Sequence, residues 1–180
     1  MQPRSCISSR VAIICNHEVA YTVSPLNQSL NQIERRTFIR APRSRVWRAL
    51  TDIAEFCRWF SAESEEPAFR PGAHIRLRST YPGPYCGVEF SVDIAEMIPE
   101  QTFSWRWHPG IKLAEEDLTE EPPTLVTFRL EDAKGGTLVT VTETGFEHLF
   151  ASRRARIFEQ NEGGWKHQMA ALERHFGETV

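Results

Sequence analysis

An α+β domain, with one long helix packed on a curved antiparallel sheet, follows from two periodicities and the punctuation between them. In Asn161–Phe176, reading NEGGWKHQMAALERHF, the apolar residues Trp165, Met169, Leu172 and Phe176 fall at i, i+4, i+7 and i+11. That spacing sets four large side chains along one helical stripe. From Phe69 to Phe146 the period changes to two, with Gly and Pro pairs interrupting it in the manner of antiparallel strands joined by turns. The helix needs an apolar surface to cover its stripe, and the strands supply one.

The first 32 residues read differently from the rest. Arg4 and Arg10 precede a five-residue apolar run, Val11–Cys15, too short for a secretory core. Ser24–Gln32 is linker-like in composition, so residues 1–32 are expected to form a weakly ordered extension before a single domain spanning 33–180. Ile33–Ile39 suits a first strand. Pro42 disfavours helix at Ala41 and permits one just after it, with Val46, Trp47, Ala49 and Leu50 as its apolar side. Arg43, Arg45 and Arg48 then form a solvated face. Asp52 and Glu55 have capping-box spacing for a second short helix running through Trp59-Phe60.

Pro71-Gly72 turns the chain into an alternating run of Ile75, Leu77, Ser79 and Tyr81. A Pro/Gly loop, Tyr81–Tyr85, precedes strands marked by Val88–Ile94 and by Phe103, Trp105 and Trp107. Ala114–Pro123 is an acidic loop and reads as solvated. Strands through Val126–Leu130 and Thr137–Phe146 flank the Lys134-Gly135-Gly136 turn. Arg153, Arg154 and Arg156 stand where a helix N-terminus disfavours cations, so the last helix is expected to fray there or begin after Ala151. Gly163-Gly164 has two readings. It either breaks the segment into two shorter helices, or removes side chains from a space that stays open.

Among 180 residues the formal charge is -3, which argues against a nucleic-acid partner, and no apolar run has the length of a membrane span. Cys6, Cys15, Cys57 and Cys86 show no CxxC pair, and are read as reduced thiols of a cytoplasmic protein. No histidine pair has metal-ligand spacing, and no nucleophile motif is present, so neither a metal, a cofactor nor a catalytic residue is assigned.

Ile39-Arg40-Ala41-Pro42, Val46-Trp47-Arg48-Ala49-Leu50-Thr51-Asp52 and Trp59-Phe60 resemble the opening of the SRPBCC superfamily. Phe103–Trp107, Gly136-Thr137, Gly145-Phe146 and Asn161–Trp165 match its later landmarks in order. More narrowly, the chain resembles the branch named for homologues of the activator of the 90-kDa heat-shock protein ATPase. The resemblance covers about Ile33 to Phe176. It implies a helix-grip fold, with the sheet curled around the C-terminal helix and often an apolar cavity between them.

On that basis Trp59, Phe60, Phe90, Trp105, Trp107, Phe128, Trp165 and Met169 are the candidate ligand-binding residues, with core filling as the competing reading. Tyr81 and Tyr85 read either as an ordinary surface turn or as the cavity mouth. If Trp105 and Trp107 face inward, strand parity turns Arg106 and His108 outward. The expected function is non-catalytic binding of a small hydrophobic or aromatic ligand. Two alternatives stand beside it: a protein partner such as a chaperone, with the acidic loop as contact, or cyclase- or hydrolase-like catalysis in the same cavity.

Overall fold

The computed structural model describes residues 31–110, 118 and 120–177. The expected N-terminal extension therefore lies almost wholly outside the described residues, as do Cys6, Cys15 and half of the acidic loop.

Seven antiparallel strands form one sheet in the order β1-β7-β6-β5-β4-β3-β2. They are β1 (Gln32–Ile39), β2 (Ala62–Glu63), β3 (His74–Ser79), β4 (Glu89–Ile98), β5 (Thr102–Trp107), β6 (Thr124–Ala133) and β7 (Gly136–Thr144). Helices α1 (Arg43–Thr51) and α2 (Ile53–Phe60) follow β1, and α3 (Ala151–Gly177) ends the fold. This is the α+β helix-grip arrangement, legible because each strand keeps its alternation. In β5 and β6, Phe103 lies opposite Phe128 and Trp105 opposite Val126, and all four are buried. In β4 a bulge between Ile94 and Glu96 shifts the register, which bends the strand.

Pro42 occupies the N-cap of α1, where its fixed φ suits helix entry and its missing N–H goes unmissed. Asp52 caps α2 by accepting a 2.8 Å bond from the Glu55 amide. Only that half of the box forms. The Glu55 carboxylate instead meets Arg45 at 2.5 Å, Arg48 at 3.4 Å and His175 at 2.7 Å, tying α1, α2 and the end of α3 together. Arg45 also stands over the Phe176 ring, 4.9 Å from its centroid, and Arg43 pairs with Asp132. The helix expected to carry three solvated arginines thus uses them as ties.

Helix α3 differs from expectation at its start and decides between two readings at its glycine pair. It begins at Ala151, because the buried Glu121 carboxylate accepts from the Phe150 amide and pairs with Arg153. An anion at the helix start offsets the cation that the dipole disfavours there. Glu121, read as part of a solvated loop, is itself buried. Gly163 and Gly164 do not break the helix, which runs unbroken for 27 residues, about 40 Å at 1.5 Å per residue. Trp165, Met169 and Leu172 are buried as the stripe requires, joined by Ile157, Phe158 and Asn161 one to two turns earlier.

Candidate functional site

Strand parity in β7 sends Val139, Val141 and Glu143 to the same, inner face. Glu143 therefore sits in an apolar row, opposite Val126 of β6 and Ile33 of β1, with no solvent exposure. A buried carboxylate is tolerated only where its lone pairs are satisfied. Here Oε1 accepts from Trp107 Nε1 at 2.8 Å, Thr124 Oγ1 at 2.6 Å and Asn161 Nδ2 at 3.0 Å. Oε2 accepts from Trp165 Nε1 at 2.6 Å and Asn161 Nδ2 at 2.9 Å. Among the described residues no cation pairs with it. The indole and amide groups can only donate to it, an arrangement suited to a carboxylate rather than a carboxylic acid. Four side chains from β5, β6 and α3 are thereby held in one orientation.

Trp107, Asn161 and Trp165 are also the wall of a cavity of about 490 Å³ between the sheet and α3. Phe60, Val88 and Phe90 extend its apolar surface. Gly163 and Gly164 form part of the α3 side, and a Cβ at either would meet nothing within 4 Å. Of the two readings of this pair, the open space is the one the structure bears out. The mouth is polar and aromatic. Tyr81 packs on His167 with ring centres 4.8 Å apart and on Tyr85 at 6.1 Å, while His108, Glu159 and Gln160 complete the rim. Gln168 donates to the Phe60 carbonyl at 3.1 Å, fixing α3 to the end of α2 beside the void.

The eight candidate ligand-binding residues divide evenly. Phe60, Phe90, Trp107 and Trp165 line the cavity. Trp59, Trp105, Phe128 and Met169 do not; they are buried in the core beside it. Trp105 stacks on Phe128 at 5.5 Å, and Trp59 spends its indole N–H on the Ala49 carbonyl at 2.8 Å. The division follows position along the sheet, since Trp105 faces the α2 aromatics Phe56 and Phe60 while Trp107, one inward step further, reaches the open end.

His108 is a correction. It lines the cavity rather than facing outward, because β5 ends at Trp107 and the parity rule ends with it. Tyr81 and Tyr85 line the cavity as well. Neither Glu143 nor Asn161 was assigned to the site from the sequence. The signal for Glu143 was present: an acidic residue in phase with two inward valines. Cys57 and Cys86 are free thiols, and burial, with Glu63 nearby, pushes the Cys57 thiol pKa up, away from nucleophilic use.

Comparison with known proteins agrees with this architecture. The family model described as "Activator of Hsp90 ATPase homolog 1-like protein" matches residues 40–177. No curated protein matches the chain. Among solved structures, protein MLL2253 from Mesorhizobium loti is 21% identical, covering 83% of this chain and 98% of that one, with a TM-score of 0.65. The Aha1 dimer from Colwellia psychrerythraea is 17% identical over 79% of this chain and 92% of that one, TM-score 0.58. CalU16 from Micromonospora echinospora is 22% identical over 79% and 71%, TM-score 0.54. At these identities the likeness is one of fold. No helix among the described residues is long and apolar enough to cross a membrane.

Proposed function

We propose that this chain, which belongs to the family of activator of Hsp90 ATPase homolog 1-like proteins, is a non-catalytic binder of a small hydrophobic or aromatic molecule held between sheet and α3. The observation that carries the reading is the cavity of about 490 Å³, a size suited to a small organic ligand, with two glycines in its helical wall. Each glycine costs the helix about 1 kcal/mol relative to alanine, which a purely structural helix has no reason to accept twice running. Glu143 supports the same reading. It orients Trp107 and Trp165 without itself lining the void, and the five hydrogen bonds it accepts leave little capacity to take a proton from a substrate.

Native mass spectrometry of protein purified without detergent, followed by extraction, tests the proposal. The expected result is a bound small molecule on the native chain and none on Gly164→Leu, whose side chain enters the cavity, with both proteins folded. An identical bound mass on both would sink it. The family name motivates a second reading, stimulation of a chaperone ATPase. Turnover of the matching chaperone, measured with saturating protein, decides that reading, and an unchanged rate removes it.

A further inference from the structure

The charge of the preferred ligand is legible in the cavity wall. We propose that the cavity selects a flat organic cation, such as an N-alkylated heteroaromatic or an arylalkyl ammonium, over a neutral or anionic molecule of the same shape. The proposal rests on the cavity being a ligand site and adds the sign of the ligand's charge.

Three observations point the same way. Glu143 is fully buried, accepts from the indoles of Trp107 and Trp165, and pairs with no cation among the described residues, which puts a carboxyl group held by hydrogen bonds directly behind the wall. The indole N–H groups of Trp107 and Trp165 are both spent on that carboxylate, so neither ring has a donor left for the ligand and each presents only carbon surface to the void. An indole donating to an anion gains ring electron density, which strengthens the attraction of its face for a cation. Finally, among the described residues no lysine or arginine lines the cavity, whereas Glu159 does. A cation entering here meets aromatic faces and the Glu159 carboxylate, with Glu143 behind the wall; an anion meets no lysine or arginine among the described lining residues.

A matched charge series tests this on the full chain at one fixed pH of about 8, where a free imidazole is neutral. The probes are 1-methylquinolinium, neutral quinoline and 1-naphthoate, titrated calorimetrically and by tryptophan fluorescence. The expected order is quinolinium tighter than quinoline by about tenfold, with naphthoate weakest, as suits a desolvated cation over ring faces. Glu159→Gln and Glu143→Gln should each reduce the ratio of quinolinium to quinoline affinity by roughly threefold or more. If Glu143→Gln does not fold, the charge series and Glu159→Gln decide the matter alone. Quinoline binding as tightly as quinolinium, with Gly164→Leu abolishing both, would overturn the charge selection and leave the cavity reading intact. No binding by any probe, or binding unaffected by Gly164→Leu, would overturn both.

Discussion

Truncating Glu143 would remove a fully buried acceptor from two indoles, an amide and a hydroxyl at once. Each orphaned buried donor carries a desolvation cost, so Glu143→Ala is expected to lower stability by about 3 kcal/mol or more, read from urea denaturation midpoints at unchanged m-value. A loss under roughly 1 kcal/mol would mean that the four groups find other partners easily. Glycines give the opposite sign. Gly163→Ala adds a Cβ that touches nothing, so it should stabilise the helix by about 1 kcal/mol while narrowing the ligand space. The same change at Gly136 would drive a Cβ into the Ile39 carbonyl across the β1–β7 pair. Residue chemistry of this kind was only partly legible in the sequence. Parity located inward valines and could have located Glu143 beside them. It could not supply Asn161, Trp107 and Thr124 as partners, since those meet Glu143 only after the sheet and α3 come together.

Local signals served the elements better. Alternation placed the long strands, and the Asp52 cap placed the start of α2, because both depend on neighbours a few residues apart. The start of α3 was misread because its compensating anion, Glu121, lies 32 residues upstream of Arg153. The Glu55 cluster has the same long reach, linking α2 to the far end of α3. Burial works to raise the Glu55 pKa, but hydrogen bonds from His175 and Arg45, together with their charges, outweigh it and hold the group below the ordinary glutamate value. A carboxylate depressed on folding adds stability that is fully present above its unfolded pKa and is lost as pH falls through the folded one. The unfolding-temperature gap between the native chain and Glu55→Gln should therefore be largest near neutral pH. It should close below the ordinary glutamate value of 4.5, as a pH series of thermal melts would register. A gap that widened in acid would refute the assigned role of the cluster.

Across the whole molecule the interior is unevenly filled, and that asymmetry has a dynamic consequence. Under α2 the aromatics are packed solid: Phe56 meets Trp59 at 5.1 Å, Phe60 at 4.7 Å and Phe69 at 5.2 Å, and Phe103 meets Trp105 at 5.4 Å. Toward Tyr81, Val88 and the middle of α3 the same sheet borders empty space. Amide exchange follows local opening, which is easier where fewer apolar contacts must be broken. The paired amides of β5, β6 and β7 should thus exchange slowest, with those of β2, β3 and the loop around Tyr81–Tyr85 markedly faster. Filling the cavity acts directly on the segments that line it. A ligand present at about 100 times its dissociation constant adds about 2.7 kcal/mol to global stability by mass action. Beyond that uniform gain, protection should rise selectively at β3, at the first half of β4 and at α3 near Gly163-Gly164. Hydrogen-exchange mass spectrometry with and without ligand separates the two contributions. Extra protection confined instead to the outer face of β1 would place the ligand somewhere other than the chamber that Trp107 and Trp165 wall.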